Sequence, residues 1–145
     1  MSDDPLAIPD VNVLVALTNA SHVFHTEAHR WLDSVERFAT TPVTESGLVR
    51  MLLNPAVVGQ TLRPPQALQI LRGIRADRRA EFLPDDVSLA EPQVELAGLA
   101  GYRQVTDWQL LNLAAAHAGQ LVTFDQKVAR SVVAADAPLV LTLGS

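Results

Sequence analysis

Residues 105–125 read VTDWQLLNLAAAHAGQLVTFD, from Val105 to Asp125, and the fold turns on this stretch. Leu110, Leu111, Ala114, Ala115 and Ala118 recur at helical spacing. That spacing predicts a helix from about Thr106 to His117, with Gly119 as its C-terminal stop. His117 in the last turn suits the negative end of the helix dipole. The run Leu121-Val122-Thr123-Phe124 is short and almost wholly apolar, as in a strand buried on both faces. A helix feeding directly into a buried strand is the repeating unit of a parallel sheet. An acid stands at each end of the unit: Asp107 opens the helix and Asp125 closes the strand.

The same pattern recurs outward along the chain. Leu6-Ala7-Ile8-Pro9 is a short buried strand ended by Asp10, and the apolar segment Val11 to Thr18 continues as a helix. Ser21 is a candidate N-cap for a second helix through about Val35, with Phe24, Ala28, Trp31, Leu32 and Val35 on one face. Phe38 to Thr41 forms a second strand. Thr44 is a candidate cap for the helix that carries Glu45, Leu48 and Leu52, and Asn54-Pro55 ends that helix. Pro64-Pro65 opens another. Phe82-Leu83-Pro84 is extended, and a short helix is expected around Leu89 to Leu99. A helix from Gln126 to Val133 and a strand at Pro138 to Leu141 complete the chain. Strands alternating with helices imply an α/β fold with three α/β/α layers around a mainly parallel central sheet, connected by right-handed crossovers.

Asp10, Glu45, Asp107 and Asp125 each stand where the pattern passes from an apolar strand to a helix or turn. In open α/β folds the carboxyl ends of the strands face one ligand crevice. Carboxylates gathered there repel one another, and a divalent cation with oxygen ligands relieves the repulsion. The pattern therefore points to a magnesium or manganese site and to phosphoryl chemistry. Taken singly, each acid also reads as a helix cap or turn residue. Four in this order favour a site.

The composition fits one packed domain over residues 1–145, with 48% hydrophobic and 19% charged residues. There are no cysteines, which removes thiolate chemistry and cysteine zinc sites and is compatible with a reducing cytoplasm. The start Met1-Ser2-Asp3-Asp4 is acidic where a secretory signal is basic, and no apolar run reaches the ~20 residues of a membrane helix. The formal net charge of −5 argues against broad gripping of nucleic acid through its phosphates. The positive charge is almost all arginine, a residue that makes bidentate contacts to phosphate or carboxylate.

With these residues placed, the chain resembles the PIN-domain ribonuclease toxins of the VapC type. The resemblance rests on Asp10-Val11-Asn12-Val13-Leu14-Val15-Ala16-Leu17, on Thr44-Glu45-Ser46-Gly47-Leu48-Val49-Arg50, on Val105-Thr106-Asp107, and on the helix and strand that end at Asp125. It implies a magnesium- or manganese-dependent endoribonuclease that leaves a 5′-phosphate and a 3′-hydroxyl, is inhibited by a small cognate antitoxin and forms homodimers. It places the catalytic acids at Asp10, Glu45, Asp107 and Asp125. Asp10 and Asp107 are the expected direct metal ligands, with Asp125 acting through water or a second metal. Glu45 reaches metal through water or serves as general base. Asn12 lies at the edge of the site, Thr106 and Thr123 are candidate hydrogen-bonding supports, and Arg50 is a candidate partner for an acid or a phosphate. Pro9 departs from the family's usual aliphatic residue, at a cost of at most one ladder bond.

Other constellations compete for a role. His22, His25 and His29 suggest zinc, but Glu27 lies off their face and no third ligand is evident, so a polar helix face is the better reading. Arg72, Arg75, Arg78 and Arg79 suggest an RNA or antitoxin contact, or a solvated face. Trp31 reads as core, whereas Trp108 is a candidate platform for stacking on a base. Three rival functions are a haloacid-dehalogenase-type phosphatase, an inactive PIN-like binding module and an RNA-processing nuclease without antitoxin. The first needs a second aspartate where Asn12 stands. The second sits poorly with four retained acids. The third differs from a toxin by the absence of a small co-encoded partner.

Overall fold

A computed structural model describes residues 4–144, so the acidic start at Met1-Ser2-Asp3 lies outside the described residues. Strands Leu6–Pro9 (β1), Phe38–Thr40 (β2), Ala80–Phe82 (β3), Gly119–Thr123 (β4) and Val140–Thr142 (β5) form one sheet in the order β3-β2-β1-β4-β5. Every neighbouring pair is parallel. The helices are Val11–Thr18 (α1), His25–Ser34 (α2), Pro42–Leu52 (α3), Pro55–Val58 (α4), Pro64–Arg75 (α5), Val105–Ala116 (α6) and Gln126–Ser131 (α7).

Alternation along the strands produces the three layers. Leu6, Ile8 and Leu121 pack with Trp108, Leu110, Leu111, Leu113 and Ala114 of α6 on one face. Ala7 and Val122 pack with Val13 of α1, Trp31 of α2 and Phe38 on the other. Successive strand side chains point to opposite faces, so a strand covered by helices on both sides is apolar throughout. A third cluster joins Leu14 and Val15 of α1 to Leu48 and Leu52 of α3, with Val58 and Ala67 from α4 and α5. Gly47 allows the close approach of α1 and α3, since a Cβ there would meet Val11 Cγ2 at 2.4 Å.

Several local expectations are corrected. The cap of α3 is Thr41, not Thr44. Pro42 is well suited to the first helical position, and Thr41 and Thr44 form a reciprocal capping box, each hydroxyl accepting from the other's backbone N–H. Ser21 does not cap α2. Asn19 and His22 form tight turns there, and the helix starts only at His25. His25 and His29 point at α1, their ring nitrogens 2.7 and 2.9 Å from the carbonyls of Ala16 and Leu17. These two rings hold the open end of a helix, in keeping with the polar-face reading rather than zinc.

Gly119 is not the helix stop. Ala118 takes the left-handed conformation (φ 53°), and Gly119 is already in β4 opposite Leu6. A Cβ at Gly119 would lie 3.0 Å from the Leu6 carbonyl oxygen. Pro9 is accommodated because β1 donates to β4 through alternate residues, Leu6 to Ala118 O and Asp10 to Val122 O. The missing N–H of Pro9 therefore faces β2, where the recorded register is Ala7 with Phe38.

No helix forms over Leu89 to Leu99. The segment is irregular, with single 3-10 turns at Leu96–Gly98 and Tyr102–Gln104. It is held to α6 by side chains. Asn112 is fully buried, accepts from Gln93 N at 2.6 Å and donates to Ser88 O at 3.1 Å. Gln109 donates to Asp85 and to the Val87 carbonyl, and His117 Nε2 lies 2.7 Å from Asp86. Removing Asn112 leaves Gln93 N without its partner and takes one of two donors from the Ser88 carbonyl, which keeps Glu91 N. Asn112→Ala is expected to cost about 1–3 kcal/mol, to lower the melting temperature by several degrees, and to speed proteolysis between Pro84 and Gly101. A melt and digestion pattern identical to wild type would contradict this anchoring role.

Candidate functional site

The strand order reverses between β1 and β4. The chain leaves β1 for β2 on one side, and reaches β4 on the other side only after β3. In such sheets the crevice lies at this junction, beyond the carboxyl ends of the strands. Asp10 follows β1, and Asp125 lies two residues beyond β4. Asp107 opens a helix as expected, but no strand precedes it. It is the third residue of α6 and follows a 3-10 turn, not a strand. A helix that feeds a parallel strand runs antiparallel to it, so the start of α6 comes to the same edge where β4 ends.

Asp10 is the most deeply held acid, 6% exposed. Its Oδ1 accepts from Val13 N at 3.1 Å, capping α1. Its Oδ2 accepts the hydroxyl of fully buried Thr123 at 2.5 Å. The Thr123 oxygen in turn accepts from Asp125 N at 3.0 Å, and Asp125 Oδ1 caps α7 through Lys127 N at 2.9 Å. The capping and site readings therefore coincide: the cap fixes each carboxylate while leaving further lone pairs available.

Burial pushes the Asp10 carboxyl above the ordinary range. Hydrogen bonds from Thr123 and the backbone oppose the rise without cancelling it, and the Asp125 charge adds to it. Asp107, half-buried, is pushed up to about 6, first by burial and then by the charges of Asp10 and Asp125. The structure thus brings Asp10, Asp107 and Asp125 into one electrostatic field. Among the described residues, none of the three has a basic side chain at ion-pair distance. Such uncompensated charge is costly to bury.

Glu45 stands apart from this trio. Its Oε2 accepts the hydroxyl of buried Thr40 at 2.6 Å and lies 3.6 Å from Arg75 Nε. It is not among the charges that shift Asp10 or Asp107. Thr40 was not expected at the site, and Arg75 was read only as one of a cluster suggesting an RNA or antitoxin contact or a solvated face. Thr40 was hidden because a hydroxyl five residues before an acid meets it only if a strand turns directly into a helix. Of the other supporting candidates, Asn12, Thr106 and Arg50 are exposed. Trp108 is 2% exposed and belongs to the core, so it offers no stacking face. Arg79 is likewise structural, donating to the carbonyls of Leu32 and Val35 and paired with Asp77.

The trio fits a hard divalent cation by its chemistry: all-oxygen donors, excess negative charge and, among the described residues, no counter-ion. Among the described residues no three acidic or histidine side chains are grouped so as to hold one ion.

The Asp107 shift carries a sign that can be checked. Its folded value, about 6, lies above the ordinary 3.8, so the folded chain binds this proton more tightly than the unfolded one. The associated stability is present at low pH and is lost as pH rises through about 6. Asp10 shifts in the same direction. Metal-free protein is therefore expected to lose stability from about pH 4 to about pH 6.5. Asp107→Asn should flatten that loss and raise stability at pH 7 by about 1–2 kcal/mol, allowing for solvent screening. Thermal melts of both proteins in a chelator across this range test it, and equal slopes would contradict it.

Comparison with known proteins agrees with this architecture. The PIN domain family model matches residues 7–132. The chain is 42% identical over 125 residues to Ribonuclease VapC38 of Mycobacterium tuberculosis, covering 85% of this chain and 87% of that protein. It is 43% identical over 121 residues to Ribonuclease VapC29 of the same species, covering 83% and 86%. With Ribonuclease VapC39 it shares 40% identity over 131 residues, covering 88% and 94%. On fold, on the matched span and on these relatives, the chain belongs to the PIN-domain family and, within it, to the VapC group.

Proposed function

We propose that this protein is a metal-dependent endoribonuclease, the toxin of a toxin–antitoxin pair, acting as one PIN domain over residues 1–145. One observation carries the reading. Asp10 is a buried carboxylate wired to Thr123 at the sheet's switch point, and it shares a field with Asp107 and Asp125 that no basic side chain among the described residues neutralises. Relatives named as ribonucleases, 40–43% identical over most of the chain, support the substrate class.

Asp10 and Asp107 are the residues that would hold magnesium or manganese, with Asp125 joining through water. When bound, the ion polarises a scissile phosphate and acidifies the attacking water. The chain's own groups do the positioning. Thr123 fixes Asp10 and lowers its proton affinity. The N-cap bonds fix Asp10 and Asp125 in rotation. Thr40 fixes Glu45 with Oε1 left to accept a proton from water, the general-base role. The partners follow from the family: RNA as substrate, a small antitoxin protein as inhibitor and a second copy of the chain in a homodimer. Among the described residues no helix is long and apolar enough to cross a membrane. A cytoplasmic site of action is part of the proposal.

The deciding experiment is cleavage of total cellular RNA with magnesium, with manganese and with chelator. Wild type is expected to give discrete, metal-dependent fragments. Asp10→Asn and Asp107→Asn should fold normally and lose about 100-fold or more of that activity, because each removes ligand charge with little change of volume. Cleavage that survives either change would overturn the site. Absence of cleavage by wild type under every metal would favour a binding module.

A subtler test uses Thr123. Without its hydroxyl, the Asp10 carboxyl rises further, and more alkali is needed to ionise it. In Thr123→Val the acid limb of the pH–rate profile is expected to move to higher pH, while Thr123→Ser keeps it in place. An unmoved limb in the valine variant would show that the hydroxyl does not tune Asp10.

A further inference from the structure

Arg75, unlike Arg79, is tied to the site. Its Nε lies 3.6 Å from Glu45 Oε2, and its guanidinium carbon sits 4.8 Å from the centre of the Phe82 ring. Phe82 ends β3 beside Thr40 in the parallel register, and Thr40 holds the same Glu45 oxygen. Helix side chains slant toward the helix N-terminus. Arg75 therefore reaches back from the last turn of α5 to the carboxyl edge of the sheet.

The environment of this guanidinium is uneven. Glu45 takes its Nε side and Phe82 lies beneath one face. Among the described residues no protein acceptor takes Nη1 or Nη2. The Arg75 side chain is 50% exposed while that of Glu45 is 15% exposed. An exposed ion pair of this length adds little to stability. What the arrangement supplies is orientation: a planar fork, stacked and paired in one pose, with donors still open. A fork held this way loses less entropy on gripping a phosphate than a free surface arginine does. It also places positive charge beside the carboxylates of a chain whose net charge is −5, where a polyanion needs it.

We infer that Arg75, braced by Glu45 and Phe82, is the phosphate contact that seats the RNA strand against the site. The inference rests on the ribonuclease reading above. Its test separates binding from chemistry. A fluorescein-labelled single-stranded RNA of mixed sequence is titrated by anisotropy, across salt concentrations, into Asp10→Asn protein with and without Arg75→Ala. Cleavage of cellular RNA is followed in parallel with Arg75→Ala and Arg75→Lys in the otherwise native chain.

Loss of Arg75 is expected to weaken binding about tenfold and to reduce the slope of log affinity against log salt by about 0.7, one single-strand phosphate contact. KM should rise with kcat nearly unchanged. Arg75→Lys, which keeps charge without the fork, should fall between. Unchanged affinity, salt slope and KM in a normally folded Arg75→Ala protein would overturn the inference while leaving the ribonuclease intact. A fall in kcat alone would also overturn it, since that would place Arg75 in the tuning of Glu45. Failure of wild type to cleave any RNA, with no binding of the probe, would overturn the ribonuclease reading and this inference with it.

Discussion

The hydrogen bond from the Thr123 hydroxyl to Asp10 is the constraint on which the site depends. It joins the carboxyl ends of the two strands that flank the switch point, and both residues are buried. Through the same oxygen Thr123 accepts from Asp125 N, so one hydroxyl sets the spacing of two carboxylates. That spacing follows from the β1–β4 register, in which Ile8 faces Leu121 and Pro9 faces Val122. A hydrogen bond to a charged group contributes about 1.5–3 kcal/mol. Burial still outweighs it, because the Asp10 carboxyl remains raised. Among the described residues no basic side chain neutralises it, a local cost in stability of the kind that functional sites carry.

Helix polarity explains why residues so far apart in sequence meet. Each helix in a parallel crossover runs against the strands, so helix starts and strand ends share one edge of the sheet. Asp10 and Asp125 use that geometry as caps of α1 and α7. Asp107 uses it from the first turn of α6 without capping anything. An acid in a first turn is favoured by the helix dipole, yet here burial, and after it the charges of Asp10 and Asp125, raise its proton affinity.

Much of this was legible in the residues. The apolar runs 6–9 and 121–124 announced buried parallel strands, and the acids after them announced the crevice. The helix of residues 105–116 was legible from its stripe. What failed was information carried by contacts across the chain. Trp108, adjacent to Asp107, looked like a platform for stacking on a base, but α6 is buried on most of its circumference, so its apolar stripe is too wide to reveal one exposed face. The segment from Pro84 to Gly101 contains apolar residues at suggestive spacing, yet its conformation is set by Asn112, Gln109 and His117 of a later helix. Local propensity has no access to such anchors. Gly119 misled for a similar reason: it is a glycine because Leu6 approaches closely, while Ala118 makes the turn.

The carboxylates at the edge of the sheet divide into two electrostatic classes, a division invisible in the sequence. Glu45 has a protein cation beside it and a hydroxyl on the same oxygen. Asp10, Asp107 and Asp125 have hydrogen-bond donors or neighbouring acids, but no basic side chain among the described residues. If all four were meant only to start helices, there would be no reason for Asp10 to be almost wholly buried or for three to share a field. If all four were equivalent ligands, Glu45 would not be compensated by Arg75. On the proposed reading the two classes do different work. The trio would draw positive charge from outside the described residues, while Glu45, held through Oε2 by Thr40 and Arg75, keeps Oε1 available to accept a proton. Carboxyl groups given different roles by their surroundings are a recurrent feature of hydrolytic sites.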